Sequence, residues 1–225
     1  MTKNIGRNRI VCLIPARKGS KRIKDKNLLK IKNKSLIDYA CQASLSKKIC
    51  EVYVATTCKK IINRVKKKHQ HTKIYLRSKK SETSKSSTEF LISEFLKYNN
   101  NFDIMVLIQC TNVFIKKSDI SLAINNFISS KYDSMFSAVK IPLFMWQINK
   151  NKLLKPTNFN LKNRPQSQNM NNSYSENGSF YIFNIKGYLR NKSRLFGKIG
   201  VHEMKLESIH EIDTYEDVRI VKKLK

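Results

Sequence analysis

The sequence lacks the patterns that mark several large classes of protein. Its five cysteines include no C-x-x-C pair and have no histidine at zinc spacing, so no zinc site is indicated. It contains neither a P-loop nor a G-x-G-x-x-G pattern, and no apolar run long enough to span a bilayer. The apolar stretch after the basic start is too short for a signal peptide and contains Pro15. We therefore expect a cytoplasmic protein with reduced thiols and no membrane partner.

Acidic residues are also scarce. The chain has 16 Asp and Glu against 45 Lys and Arg, which gives a formal net charge of +29. Such a field attracts phosphate backbones, so a basic nucleic-acid-binding protein is one interpretation. The lysines, however, are spread along the whole chain, without an RNP signature, a zinc finger or an isolated basic tail. We therefore predict that nucleic acid is not the primary ligand, and that the charge suits an enzyme whose substrates are all anions.

The order of the predicted elements indicates an α/β fold. Strands are predicted at 9–15, 51–56, 73–76, 104–108, 134–141 and 179–185, with a further strand-like run before Asp213. Helices are predicted at 35–47, 59–69, 88–98, 118–129 and 215–224. This alternation is typical of right-handed βαβ units. It predicts a three-layer, Rossmann-like doubly wound sheet that is mostly parallel.

One long segment interrupts this pattern. From residue 142 to residue 177 the periodicity fails and Asn, Gln, Pro and Ser accumulate. An irregular segment of this length inside a compact domain is usually functional. We therefore predict a single domain over residues 1–225, with 142–177 as a lid or an oligomerisation arm.

The stretch from 14 to 27, I-P-A-R-K-G-S-K-R-I-K-D-K-N, follows the first predicted strand. Backbone N–H groups around Gly19 and Ser20 can approach oxyanions, and Arg17, Lys21 and Lys26 supply positive charge. The alternative is a solvated basic loop in a lysine-rich protein, and spacing alone leaves both open. In doubly wound sheets, ligands bind beyond the carboxyl ends of the strands, which is where this loop falls.

Three more segments carry a resemblance together with this loop. They read L-I-Q-C-T at 107–111, Y-S-E-N-G-S-F-Y-I at 174–182 and E-I-D-T-Y-E-D at 211–217. In order and spacing, the four resemble the P-A-R-x-G-S-K-x-x-x-x-K-N, L-L-Q-P-T, Y-x-x-N-G-(A/S)-x-Y-I and I-D-T-x-E-D motifs of the acylneuraminate cytidylyltransferases, the CMP-sialic acid synthetases. The K-N ending of the loop favours this family over the related Kdo cytidylyltransferases.

The resemblance implies a nucleotide-diphospho-sugar transferase fold and a reaction. CTP and a nonulosonic acid, of the N-acetylneuraminate, legionaminate or pseudaminate type, would give a CMP-sugar and pyrophosphate for glycan, capsule or lipopolysaccharide synthesis. It also implies Mg²⁺ (or Mn²⁺) and a homodimer formed through 142–177. A CMP-Kdo-type synthetase and a catalytically weakened paralogue remain alternatives within the fold.

Site residues follow from the same resemblance. It implies nucleotide binding by Arg17, Gly19, Ser20, Lys21, Lys26, Asn27, Arg77, Ser87, Thr88 and Gln109. It implies sugar binding by Gln109, Gln168, Asn177 and Tyr181, and catalysis by Arg17, Lys21, Lys26 and Asp213. The alternatives are a solvated loop amide for Gln168 and core packing for Tyr181. No general base is assigned.

Asp213 is the best candidate for a metal ligand, because Mg²⁺ usually takes one or two carboxylates together with substrate phosphates. If residues 211–213 are extended, alternation puts Glu211 on the same face as Asp213, so both could reach the ion. The alternative makes Asp213 the N-cap of the last helix.

The chain departs from the family pattern at four places. Ser167 stands where an Arg is common, with Arg164 nearby, and Phe144 stands where many members have a Lys. Asn112 to Ile115 replace S-P-L-R, and Ser84 replaces an acidic residue. The departures at Ser167 and Phe144 leave the identity of the sugar open. Together, the four departures leave a catalytically weakened paralogue as an alternative.

Overall fold

The computed structural model describes residues 8–20, 22–170 and 173–225. The strands are β1 (Ile10–Pro15), β2 (Lys30–Ile31), β3 (Lys34–Ser35), β4 (Glu51–Ala55), β5 (Thr72–Tyr75), β6 (Ile104–Ile108), β7 (Ser134–Lys140), β8 (Trp146–Ile148), β9 (Leu154–Pro156), β10 (Tyr174–Asn184) and β11 (Ile199–Glu203). The α-helices are α1 (Leu36–Ala43), α2 (Lys59–Lys68), α3 (Lys79–Glu82), α4 (Thr88–Tyr98), α5 (Lys117–Ser129), α6 (Ile185–Asn191) and α7 (Tyr215–Leu224). Short 3₁₀ helices lie at Lys26–Leu28, Ser167–Asn169 and Leu206–Ile209.

Within the described residues, seven strands form one sheet in the order β11-β7-β10-β6-β1-β4-β5. Strands β6, β1, β4 and β5 pair in parallel, and β11 is parallel to β7. Strand β10 is antiparallel to both of its neighbours, β6 and β7. The predicted mostly parallel sheet is confirmed. The parallel strands end together at one edge of the sheet, which is where the predicted loops begin.

Helices cover both faces of the sheet. Cys12 and Ile14 of β1 face a core shared with α1, α2, α5 and α7, whereas Val11 and Leu13 face a second core shared with α4 and α6. A strand buried on both faces needs a continuous apolar sequence, and β1 is such a run. The predicted three-layer arrangement is therefore confirmed. No helix in the described ranges is long and apolar enough to cross a membrane.

The irregular segment is more ordered than its sequence indicates. Strands β8 and β9 pair as a hairpin inside 142–177, and β10 begins at Tyr174. Strands β8 and β9 have only three residues each, which is too short for an alternation of apolar and polar residues to be recognised in the sequence.

Helices α3 and α6 were not predicted, because each has fewer than eight residues and is too short for a helical period to be recognised in the sequence. The strand-like run predicted before Asp213 is wrong: β11 ends at Glu203, and residues 210–213 are irregular. The two-residue strands β2 and β3 were not predicted either. The remaining predicted elements are present, with ends that agree to within five residues.

Asp38 is a buried charge that ties α1 to α2. Its carboxylate accepts hydrogen bonds from Arg64 Nε at 2.9 Å and from the backbone N–H of Ser35 at 2.8 Å, and it lies 3.0 Å from His69 Nε2. Burial would raise the pKa of Asp38, but the bonds from His69, Arg64 and Ser35 hold it well below its ordinary value. The cluster therefore stabilises the fold only while Asp38 is ionised.

We expect Asp38→Asn to lower the free energy of unfolding at pH 7 by about 3 kcal/mol, because it leaves Arg64 without its buried partner. Since the folded pKa lies below the unfolded pKa, the stabilisation is full above about pH 5 and is lost as pH falls. Urea unfolding of both proteins at several pH values measures the difference, which should shrink on acidification. Asp25→Asn, at an exposed pair with Lys60, is the control and should change little. A difference that does not change with pH would contradict this assignment.

Candidate active site

A cavity of about 360 Å³ opens at the carboxyl edge of the parallel strands. Its lining comes from the loops after β1, β5 and β6, from the start of α4, and from the segment before α7. The predicted residues that line it are Arg17, Ser20, Lys26, Asn27, Arg77, Ser87, Thr88, Gln109 and Asp213. Residues that are up to 196 positions apart in the sequence thus meet in one site, as the topology requires.

One predicted loop residue, Gly19, lies outside the cavity. Gly19 has a φ of +78° and lies at a smaller recess beside the cavity. Its carbonyl accepts a 2.9 Å hydrogen bond from Arg17 Nη1, so it shapes the turn that orients Arg17. Lys21 lies outside the described residues.

Two cations of the loop after β1 contact Asp213. Lys26 Nζ donates to Asp213 Oδ1 at 2.8 Å and to the carbonyl of Ile212 at 3.1 Å. Arg22, which occupies an unspecified position of the motif, donates to Asp213 Oδ2 at 2.9 Å and also lines the cavity. Its place in the same basic loop was the available signal.

The pKa of Asp213 follows from these contacts. Burial would raise it, but the hydrogen bond and charge of Lys26, with the charge of Arg22, bring it below its ordinary value. Asp213 is therefore an ionised carboxylate at neutral pH, set against a basic loop. Asp213 does not cap α7: the N-cap is Thr214, whose hydroxyl accepts the N–H of Asp217 at 3.2 Å.

Glu211 sits differently from the prediction. The segment from 211 to 213 is irregular and not a strand, so the predicted alternation does not apply. Glu211 Oε2 accepts a 2.9 Å hydrogen bond from Thr111 Oγ1, and burial raises the pKa of Glu211, with a further contribution from the charge of Asp213. Glu211 therefore interacts electrostatically with Asp213, but the hydrogen-bonding partner of the Glu211 carboxylate is Thr111.

Gly178 provides the space that Glu211 occupies. It has a φ of +56°, and a Cβ added there would overlap the carboxylate of Glu211. Strand β10 shifts register against β7 between Glu176 and Tyr181, so Gly178 lies in the bulge. The glycine of the predicted N-G motif is needed here both for its backbone conformation and for this contact.

We expect Gly178→Ala to lower the free energy of unfolding by about 2 kcal/mol, through left-handed strain and displacement of Glu211 from Thr111. Urea denaturation of the single variants Gly178→Ala and Glu211→Ala and of the double variant measures it. The loss of unfolding free energy in the double variant should be smaller than the sum of the two single losses, because the Cβ at 178 no longer overlaps a carboxylate at 211. Strict additivity would show that the contact with Glu211 carries no energy.

Arg77 and α3 hold the opposite wall. The Arg77 guanidinium is buried, donates to the carbonyl of Ser81 and has its pKa lowered by that burial. Glu82 accepts the backbone N–H of Lys18 at 2.7 Å and the hydroxyl of Thr57 at 2.6 Å. Although Ser84 replaces the expected acidic residue, Glu82 lies two residues earlier and braces the first loop.

Ser87 and Thr88 begin α4 at the cavity. Ser87 is the N-cap, and its hydroxyl accepts the N–H of Phe90 at 3.1 Å. Thr88 is the first residue of the helix and also lines the cavity. The positive end of α4 therefore points toward the site, which favours an anionic or hydrogen-bond-accepting ligand.

The predicted sugar residues other than Gln109 lie away from this cavity. Asn177 is fully buried, and its amide is used internally: Oδ1 accepts from Ser137 at 2.7 Å and Nδ2 donates to Ser208 at 2.8 Å. The hydroxyl of Tyr181, which is also buried, donates to Glu176 at 2.7 Å. Gln168 is exposed in a separate depression of about 320 Å³ beside β7 and β11.

The departures from the motifs find local partners. Asn112 is buried and donates to the carbonyls of Asn177 at 2.9 Å and Ser208 at 2.7 Å, so it braces the bulge. Ile115 packs in the core. The Arg164 guanidinium lies 4.0 Å from the centre of the Phe144 ring, so these two residues form one contact in the 142–177 segment.

The donor set limits how a metal could bind. Among the described residues, no group of three or more His, Cys, Asp or Glu gathers that could hold a metal ion. Asp213, ionised and lining the cavity, fits an ion that takes one or two protein carboxylates and completes its shell with phosphate oxygens and water. Glu211 would have to turn from Thr111 to become a second ligand.

Comparison with known proteins adds independent information. A family model described as cytidylyltransferase matches residues 11–223. The N-acylneuraminate cytidylyltransferase B of Danio rerio is 30% identical over 211 residues, covering 92% of this chain and 49% of that protein. The CMP-N,N'-diacetyllegionaminic acid synthase of Legionella pneumophila is 31% identical over 226 residues. The alignment covers 96% of this chain and 96% of that protein. The chain thus spans about half the length of the Danio protein.

A solved structure supports the fold. A CMP:2-keto-3-deoxy-manno-octonic acid synthetase complexed with CTP aligns with a TM-score of 0.68, at 18% identity, over 96% of this chain and 98% of that one. At this identity the likeness establishes the architecture alone, a doubly wound and mostly parallel sheet.

Proposed function

The chain belongs to the cytidylyltransferase family, and from that premise we propose that it transfers CMP from CTP to a nonulosonic acid and releases pyrophosphate. One observation carries the proposal. One cavity at the carboxyl edge of the sheet is lined by Arg17, Arg22 and Lys26 of the loop after β1, by Arg77 and by an ionised Asp213. That charge pattern suits a triphosphate and a metal ion together. The names of the relatives support the sugar class.

In the proposed reaction, the anomeric hydroxyl oxygen of the sugar bonds to the α-phosphorus of CTP as the bond to the bridging oxygen of pyrophosphate breaks. The protein's work is positioning and charge neutralisation. Arg17, Lys26 and Lys21 would bind the triphosphate, with backbone groups near Gly19 and Ser20. Lys26 suits this role because its side chain is only 15% exposed and its ammonium is held by two oxygens of the protein.

The remaining walls would bind the nucleoside. Asn27 donates to the carbonyl of Arg17 at 3.3 Å, which orients its amide beside the loop. Arg77, Ser87 and Thr88 are proposed to contact the cytidine, and Gln109 to lie between nucleotide and sugar. Their support is that all of them line the same cavity as the loop cations.

We propose Mg²⁺ (or Mn²⁺) as the cofactor, held by Asp213 with Glu211 as an additional ligand. When bound, the ion would neutralise phosphate charge and hold the α-phosphate in place. Arg22 and Lys26 contact the same carboxylate, so their part is to keep Asp213 ionised and oriented.

The sugar side is proposed to need a second copy of the chain. Gln168, Asn177 and Tyr181 lie outside the cavity, and the segment around β8 and β9 exposes several large apolar side chains: Leu143, Met145, Trp146, Ile148, Leu153, Leu154 and Leu161. Exposed apolar patches of this kind mark interaction surfaces. We expect a homodimer through this arm by light scattering, and a monomer at micromolar concentration would contradict it.

The function is tested by pyrophosphate release from CTP and Mg²⁺ with a panel of N-acetylneuraminate, legionaminate, pseudaminate and Kdo. We expect release with a nonulosonic acid and little with Kdo. Release with Kdo alone would favour a CMP-Kdo-type synthetase, and CTP binding without release from any sugar would favour a weakened paralogue. A cytoplasmic location stays a prediction.

A further inference from the structure

A second depression, of about 550 Å³, lies on the helical face of the sheet. It is bordered by the β2–β3 turn, by α1, by the start of α5 and by the end of α7. Of the residues that the structure describes, five lysines line it: Lys32, Lys34, Lys116, Lys117 and Lys225. Among the described residues, none that lines this depression also lines the 360 Å³ cavity proposed to bind CTP, called the CTP cavity below.

The floor of this depression is apolar, and hydrogen bonds within the fold hold two of its lysines in place. Tyr39 and Ile115, both nearly buried, lie at its base. Lys34 Nζ lies 5.8 Å and Lys225 Nζ 5.2 Å from the centre of the Tyr39 ring. Lys225 Nζ also donates to the carbonyl of Val113 at 2.9 Å, and Lys34 Nζ to Gln42 Oε1 at 2.8 Å. Two ammonium groups are therefore held by the fold.

These lysines differ from others in the described part of the chain in their ion pairing. Over the described residues, none of the five lysines forms a salt bridge with a carboxylate, whereas Lys26, Lys60 and Lys73 each do. Asp119, in the first turn of α5, accepts the backbone N–H of Lys116 at 2.8 Å. The repulsion is evident at Lys225, whose pKa is lowered by burial and then by the charges of Lys116, Lys34 and Lys32.

We propose that this depression is a second anion site, which binds an oligophosphate independently of the CTP cavity. A compact polyanion matches a concave site better than an extended one, because several phosphate oxygens can meet ammonium groups from three sides at once. Each charge-assisted hydrogen bond adds affinity, and the ligand relieves the repulsion among the lysines. The inference does not rest on the proposed function, since none of its residues lines the CTP cavity.

The test is calorimetric titration with inorganic tripolyphosphate at near-physiological salt. We expect two binding events in the native chain, one of which weakens about tenfold or more in Lys34→Gln/Lys116→Gln. The matched control is Lys66→Gln/Lys67→Gln, which removes the same charge from an exposed turn of α2 and should retain both events. Lys26→Met should weaken the other event.

A footprint assigns the events to residues. Amine acylation read by mass spectrometry should show that tripolyphosphate protects Lys34, Lys116 and Lys225, while Lys66 and Lys67 react as before. A single binding event in the native chain would overturn the proposal. So would equal weakening in the α2 control, since the attraction would then come from net charge alone.

Discussion

Asp213→Asn is expected to lower Mg²⁺-dependent turnover by about 10²–10³-fold, the loss typical of removing one preorganised charge-stabilising group from an active site. The carboxylate lines the cavity, has a lowered pKa and accepts bonds from both Lys26 and Arg22. An amide keeps the shape but cannot neutralise a divalent ion. Steady-state turnover with CTP and the preferred sugar over a range of Mg²⁺ concentrations measures the effect.

The matched control is Glu216→Gln, which removes one negative charge three residues later. Glu216 is exposed and pairs with Arg219 one turn along α7. It should leave turnover almost unchanged, and both variants should remain folded because neither side chain is part of the core. Near-normal turnover of Asp213→Asn at low Mg²⁺ would remove Asp213 from the mechanism.

Lys26→Met is expected to reduce kcat/KM for CTP by a similar factor, about 10²–10³. The ammonium is largely shielded from water, where its interaction with a phosphate is stronger than at the surface. Arg22 and Lys26 both pair with Asp213, so the loss of Lys26 leaves Arg22 as the remaining partner of these two. Kinetics with CTP varied at saturating sugar, together with CTP affinity by calorimetry, separate binding from the chemical step.

Lys24→Met offers a close comparison, since Lys24 is exposed in the same loop and does not line the cavity. If the role of Lys26 is local, Lys24→Met should change kcat/KM less than threefold or so, within the range of surface charge effects. Equal losses in the two variants would mean that the loop acts only through its overall field.

The sequence predicted the framework of this site well because each part had a local signal. Apolar strand runs such as Ile104–Ile108 fixed the sheet, and the topology then brought the loop after β1 and Gln109 to one edge. What was missed depends on contacts across the fold. Glu82 braces Lys18 over 64 residues, and Arg22 reaches Asp213 over 191. No periodicity or motif reports such pairs.

Asn177 and Glu211 illustrate a second limit. A motif gives a residue's position, but its neighbours decide whether its polar atoms face a ligand or the interior. The side-chain amide of Asn177 forms hydrogen bonds with Ser137 of β7 and with Ser208 of the 3₁₀ helix before α7, so it faces the interior. Glu211 lies in irregular backbone, so strand alternation could not describe its direction.

The most direct test of the proposed transfer is phosphorus NMR of CTP, Mg²⁺ and a nonulosonic acid labelled with ¹⁸O at the anomeric hydroxyl. We expect the CMP-sugar diester and pyrophosphate to appear in equal amounts, with the label in the bridge between sugar and phosphorus. Unchanged CTP with every nonulosonic acid, or pyrophosphate accompanied by free CMP without a labelled diester, would contradict it.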